Sequence, residues 1–97
     1  MRLIFSFALL FFSAISWSQE ITVLDKESQQ PIFNVAIFNK DKSKSILTNF
    51  DGRANLSQFS PGEIIFFRHV SHKEFHSTKK QILQRNNQVL LAPGENT

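Results

Sequence analysis

The chain has 97 residues, with eleven Lys or Arg against eight Asp or Glu, three His, eleven Phe and no Cys. The lack of cysteine excludes a disulfide framework, a thiolate metal site, a Cys nucleophile and a lipid-anchoring Cys. The net charge of +3, or +2 without Arg2, is spread along the chain with no dense basic and aromatic interleaving, which argues against a nucleic-acid surface.

The opening stretch MRLIFSFALLFFSAISWSQ places one cation, Arg2, before an apolar run from Leu3 to Ile15 that only Ser6 and Ser13 interrupt, with small residues at Ser16 and Ser18. That is the three-part layout of a secretory signal peptide. A helix of that run would be roughly 20 Å long against about 30 Å of hydrocarbon, too short for a comfortable span. Residues 1–18 are therefore expected to be cut off before Gln19, residues 19–92 to form one domain, and residues 93–97 to start a linker or end the chain. An exported domain of this size without disulfides depends on its apolar core alone.

EITVLD, Glu20 to Asp25, alternates Ile21 and Val23 with Thr22 and reads as a strand, ended by the polar run KESQQP. IFNVAIFN, residues 32–39, reads as a second strand with Val35 and Ile37 on one face and Ala36 and Phe38 on the other. KDKSK is a charged loop. SILT and RANL read as two short strands joined through NFDG, where Gly52 takes a positive φ cheaply and Asp51 is expected to bond the backbone two residues on. After the Pro61-Gly62 turn, IIFFRH (Ile64 to His69) is an apolar run of strand length. KEFHSTK reads as a sixth strand, KQILQRNN as a helical turn or loop, and QVLL (Gln88 to Leu91) as the last strand. Turn signals at such spacing predict an all-β fold, a small seven-stranded β-sandwich with Greek-key connections. Val35, Ile37, Leu56, Phe66 and Leu91 are the expected core.

Pro31-Ile32-x-Asn34-Val35-x-Ile37 and Thr48-x-x-Asp51-Gly52-x-x-x-Leu56 follow one another ahead of the aromatic strand. On these motifs the chain resembles the carboxypeptidase-regulatory-like domain, the prealbumin-type (transthyretin-like) sandwich that Bacteroidetes place at the N-terminus of many TonB-dependent outer-membrane receptors. The resemblance covers nearly all of residues 19–92. After the aromatic strand the family usually shows His-Pro-x-Tyr or a similar Gly-Tyr corner, whereas His69-Val70-Ser71-His72 stands here. The tyrosine slot thus holds a smaller ring that still offers a hydrogen bond. The receptor barrels of that class need on the order of 22 strands of about 10 residues each, so no barrel lies within these residues. The resemblance implies that the Asp-Gly corner is a scaffold corner, setting register and aiming Ile46 and Leu56 into the core.

Other residues invite chemistry. His69, His72 and His76, with Glu74 among them, would share a face on a helix, but on strands 72 and 76 oppose 69. A corner role for His72 and solvated roles for the others are expected, because a zinc site wants three or four convergent ligands. Asp25, Glu27, Asp41 and Asp51 fall at strand ends and in charged loops, where solvated carboxylates are ordinary. A catalytic pair would need an enclosing cleft, which so small a sandwich is not expected to offer. Lys40, Lys42 and Lys44 form an alternating basic edge, read as a solvated loop or an electrostatic contact.

The expectation is a non-catalytic accessory domain, without cofactor or metal, on the periplasmic side of the outer membrane. Its partners would be proteins: the plug and barrel of its own receptor, or the TonB-type energy-coupling machinery. An exposed sheet edge and the loop Lys40 to Lys44 are the expected contact faces. The alternatives are a stand-alone exported sandwich that binds a protein or glycan, and the regulatory appendage of a secreted peptidase.

Overall fold

The computed structural model describes residues 19–94, and the expected signal peptide lies outside them. In chain order the elements are β1 (Glu20–Asp25), β2 (Ala36–Asn39), β3 (Ser45–Leu47), β4 (Arg53–Asn55), β5 (Ile64–His69), β6 (His72–Thr78), the helix α1 (Lys79–Gln84) and β7 (Gln88–Leu91). The strands form two sheets, a three-stranded one in the order β4-β1-β7 and a four-stranded one in the order β3-β2-β5-β6. Every pairing is antiparallel except β1 with β7, which run parallel.

The alternation read in β1 places Ile21 and Val23 wholly inside. They meet Ala54, Val89 and Leu91 of their own sheet and Ile37, Ile65 and Phe67 of the other, so both sheets share one core. Val35, Ile37, Leu56 and Leu91 are fully buried, as the period-2 pattern predicts. Phe66 is not: β5 buries Ile65 and Phe67 and turns Phe66 to the outer face. An unbroken apolar run carries no alternation to fix its register. On that outer face Phe66 stacks on Phe38 with ring centroids 5.7 Å apart, and Lys42 and Arg68 lie over Phe38. Aliphatic stems and cations thus cover aromatic surface that would otherwise meet water.

The strand expected over residues 32–39 is shorter. Only its second half is strand, because Asn34 sits at φ 69° and breaks the extended path. Pro31 still bridges Leu24 of the first sheet, and Ala36 already pairs in the second, so residues 31–36 carry the chain across the core. Ile32 and Val35 are buried within that crossing. The corner between SILT and RANL likewise does not join a paired hairpin: β3 pairs with β2 and β4 with β1, each in a different sheet.

At the far end, α1 fills the step from β6 to β7. Thr78 caps it, its hydroxyl accepting from the Gln81 N–H while the Gln81 side chain bonds back to the Thr78 N–H. Lys79 is buried, its Nζ donating to the Gln19 side-chain oxygen at 2.5 Å and to the Phe59 carbonyl at 2.8 Å. Between β6, α1 and β7 a cleft of about 490 Å³ opens, contrary to the expectation of no pocket.

Candidate functional site

The two motifs lock onto each other. Thr48 is buried, and its hydroxyl accepts from the Val35 N–H at 2.9 Å and donates to the Ile32 carbonyl at 2.8 Å. Its own backbone exchanges bonds with the same crossing, Thr48 N–H to Val35 O and Asn34 N–H to Thr48 O. Four residues on, the Gly52 carbonyl accepts from the Val23 N–H at 2.7 Å. Gly52 has φ +72°, and a Cβ there would stand 2.7 Å from Val23 O and 3.0 Å from the Pro31 Cβ. The glycine is therefore required twice, once for its φ and once for the close approach of β1.

The side chain that shapes this corner is Asn49, not Asp51. Asn49 Oδ1 accepts from the Asp51 and Arg53 N–H groups, both at 2.9 Å, and the Gly52 N–H bonds the Asn49 carbonyl. An Asx turn needs its acceptor two residues before the donor, and Asn49 holds that place. Asp51 is exposed.

The chemistry-bearing cluster is a chain of three side chains at the β5–β6 turn. The Ser71 N–H donates to His69 Nδ1 at 3.2 Å, so that nitrogen carries a lone pair. His72 Nδ1, 2.9 Å from the same atom, must then be a donor. His72 Nε2 lies 2.8 Å from Asp25 Oδ2. The Ser28 N–H, His72 and the Glu27 N–H hold the Asp25 carboxyl down to about 2, so it is an acceptor. His72 thus bridges the Asp25 carboxylate and the His69 ring, one ring nitrogen to each. Burial and the charge on His72 push the His69 pKa down, against a hydrogen bond to the Phe33 backbone that pushes it up. The line Asp25–His72–His69–Phe33 ties the end of β1, the β5–β6 turn and the crossing segment together. The corner expected of His72 is there, with Asp25 as its acceptor.

Among the described residues no Ser or Thr hydroxyl is hydrogen-bonded to either imidazole as an activated nucleophile would be. His76 lies apart from both, tilted against Phe66 on the outer face at 5.5 Å. Among the described residues no three His, Asp or Glu side chains converge as metal ligands.

The other expected residues are spent locally. Asp41 accepts from the Ser43 N–H, which lowers its pKa. Lys44 Nζ pairs with Glu63 at 3.2 Å, and Asn39, buried, donates to Glu63 at 2.9 Å. Asn39, the Ser60 N–H and Lys44 hold the Glu63 carboxyl at about 2. Lys42 lies over Phe38 and Lys44 pairs with Glu63, so the loop 40–44 clasps the start of β5, while Lys40 and Lys42 are both exposed and Lys44 is half-buried.

Sequence reasoning missed the role of Asp25 and the cleft. Asp25 and His72 are 47 residues apart, and the one local hint is that Asp25 ends a strand ahead of two N–H groups it can accept from. No family model matches the chain, and no curated protein or solved structure is found similar to it.

Proposed function

We propose that the chain is an exported, non-catalytic contact module of the carboxypeptidase-regulatory-like type, a Greek-key sandwich. It serves as the periplasmic accessory domain of a TonB-dependent outer-membrane receptor. The observation that carries this reading is the lock between the two motifs. The hydroxyl of Thr48, first residue of the Thr-x-x-Asp-Gly piece, closes on Ile32 and Val35 of the Pro-Ile-x-Asn-Val piece. Residues that look independent in the sequence are one joint, so their joint presence in order is a demand of a fold and not a coincidence of composition. The cluster around His72 is satisfied internally by Asp25, Ser71 and His69, and it leaves the surface as the means of action.

Two experiments test this. N-terminal sequencing of the protein recovered from the cell envelope should begin at Gln19, and intact Met1 in an inner-membrane fraction would refute export. Deleting residues 20–92 from the receptor that carries the domain should leave substrate binding at the outer face intact and reduce energy-dependent uptake. Loss of outer-face binding would refute the accessory role.

A second reading, a stand-alone module that binds a glycan or protein, is favoured by one observation. Phe33 and Phe50 stack 4.2 Å apart at 9° while 46% and 79% exposed, a flat apolar platform held open to solvent.

A further inference from the structure

Both sheets end on the same side of the molecule, the four-stranded one at β6 and the three-stranded one at β7. The two edges touch at one end only. There the Lys73 N–H bonds the Ala92 carbonyl at 2.9 Å and the Gly94 N–H bonds Ser71 O at 3.1 Å. From that joint they diverge, and α1 spans the gap at the other end. The space between is the cleft of about 490 Å³, inside the range of roughly 300 to 1,000 Å³ usual for ligand sites.

Three features of that cleft select an occupant. The first is backbone. Thr22 N–H bonds Asn87 O and Lys26 N–H bonds Leu91 O, so odd-numbered residues of β7 face β1. By the alternation of a parallel ladder, the N–H and C=O of Leu90 and the C=O of Gln88 face the other way, into the cleft. The second is an apolar floor, made by Phe75 and Ile82. The third is charge. Arg85 stands just before β7, Lys26 beside its end, and Lys73 across from it on β6. Among the described residues none of these three cations is in an ion pair, and the one acid of the lining, Glu74, is turned to Arg68 at 3.3 Å. Edge backbone between cations calls for an extended chain with acidic side chains, and the floor calls for apolar ones in alternation with them.

We infer that the cleft between β6 and β7 is a slot for an extended, alternating acidic and apolar peptide, which adds as a strand to the β7 edge. Lys26, Lys73 and Arg85 around the cleft would keep these edges from pairing with those of another copy while admitting a partner of opposite charge. This assignment rests on the contact-module reading and gives it a face. In the loop 40–44, by contrast, Lys44 is taken by Glu63 and Lys42 lies over Phe38.

The test uses the full, ¹⁵N-labelled chain and the probe acetyl-Glu-Val-Glu-Val-Glu-Val-Glu-amide. The probe should bind with salt-sensitive affinity and move the amide signals of Leu90, Lys26 and Lys73. A twin with lysine for every glutamate should bind at least ten-fold more weakly. Of two further twins, N-methylated at every valine or at every glutamate, one should lose at least ten-fold, since only one edge of the peptide pairs with β7. The double variant Lys73→Glu/Arg85→Glu should weaken the acidic probe at least ten-fold with an unchanged melting temperature. No binding, shifts confined to other edges, or full binding by both N-methylated twins would each overturn the slot. If the probe fails while the deletion of residues 20–92 still impairs uptake, the slot is wrong and the contact lies elsewhere. If the probe binds while the deletion leaves uptake unchanged, the slot stands and the receptor reading falls.

Discussion

At Gly52 a left-handed φ of +72° meets a backbone oxygen where a Cβ would go, 2.7 Å away. Gly52→Ala adds the strain of that φ, about 1 to 2 kcal/mol, to an overpacking cost of about 1 to 3 kcal/mol. Urea denaturation should show a loss of that summed order. Asn49→Ala removes the acceptor of two turn N–H groups and should cost about 0.5 to 2 kcal/mol, while Asp51→Asn, exposed and outside that pattern, should stay within about 0.5 kcal/mol of the parent. This contrast was legible only in part. Asp-Gly marks a turn at once, but which Asx side chain serves it depends on where the turn starts, and that is decided by the sheets β3 and β4 enter.

His69 sets a pH limit of its own. Its folded pKa lies below the ordinary 6.5, so between the two values the unfolded chain binds more protons and stability rises with pH. The contribution is complete above about 6.5 and is lost as pH falls through the folded value. Asp25 and Glu63, held at about 2 against 3.8 and 4.5, add a second loss at lower pH as each falls toward about 2. Urea midpoints from pH 7.5 to 5 should therefore fall on acidification, and His69→Gln should flatten that slope even where it lowers every midpoint. An unchanged slope would remove His69 as its source.

Among the elements, the crossing segment 31–36 is held less by strand pairing than by Thr48. Thr48→Val keeps the shape but strands the buried Val35 N–H, a cost of about 1 to 3 kcal/mol. A thermal melt that showed no change would mean the lock contributes nothing. In β5, Phe67→Ala should cost about 3 to 5 kcal/mol as a core truncation, and Phe66→Ala clearly less, because half-buried Phe66 loses its ring contacts with Phe38 and His76 on the outer face and leaves no core cavity. The strands themselves were readable, since β1 and β7 alternate and β-branched or aromatic residues mark β5. The register of β5 was not, because Ile64 to Phe67 offers an apolar side chain to either face. The break at Asn34 was hidden as well: nothing in IFNVAIFN announces that a polar residue amid apolar ones is a left-handed hinge and not an outward-facing strand position.

At the scale of the whole molecule, the all-β class and most of the core followed from periodicity, whereas every feature that joins distant segments did not. The pairing of Asp25 with His72 and the opening between β6 and β7 arise from how the sheets lie on each other, which periodicity does not encode. The corners at Gly52 and along the Asp25–His72–His69 line hold a frame, and the role proposed for that frame is to work by contact. Uptake by the proposed receptor, measured beside the folded fraction of this domain, tests this most directly. In Asp51→Asn, Asn49→Ala and His69→Gln, uptake should follow the folded fraction and nothing else, while deletion of residues 20–92 reduces it. A variant of this set that stays fully folded yet abolishes uptake would contradict the account and place chemistry at the corner.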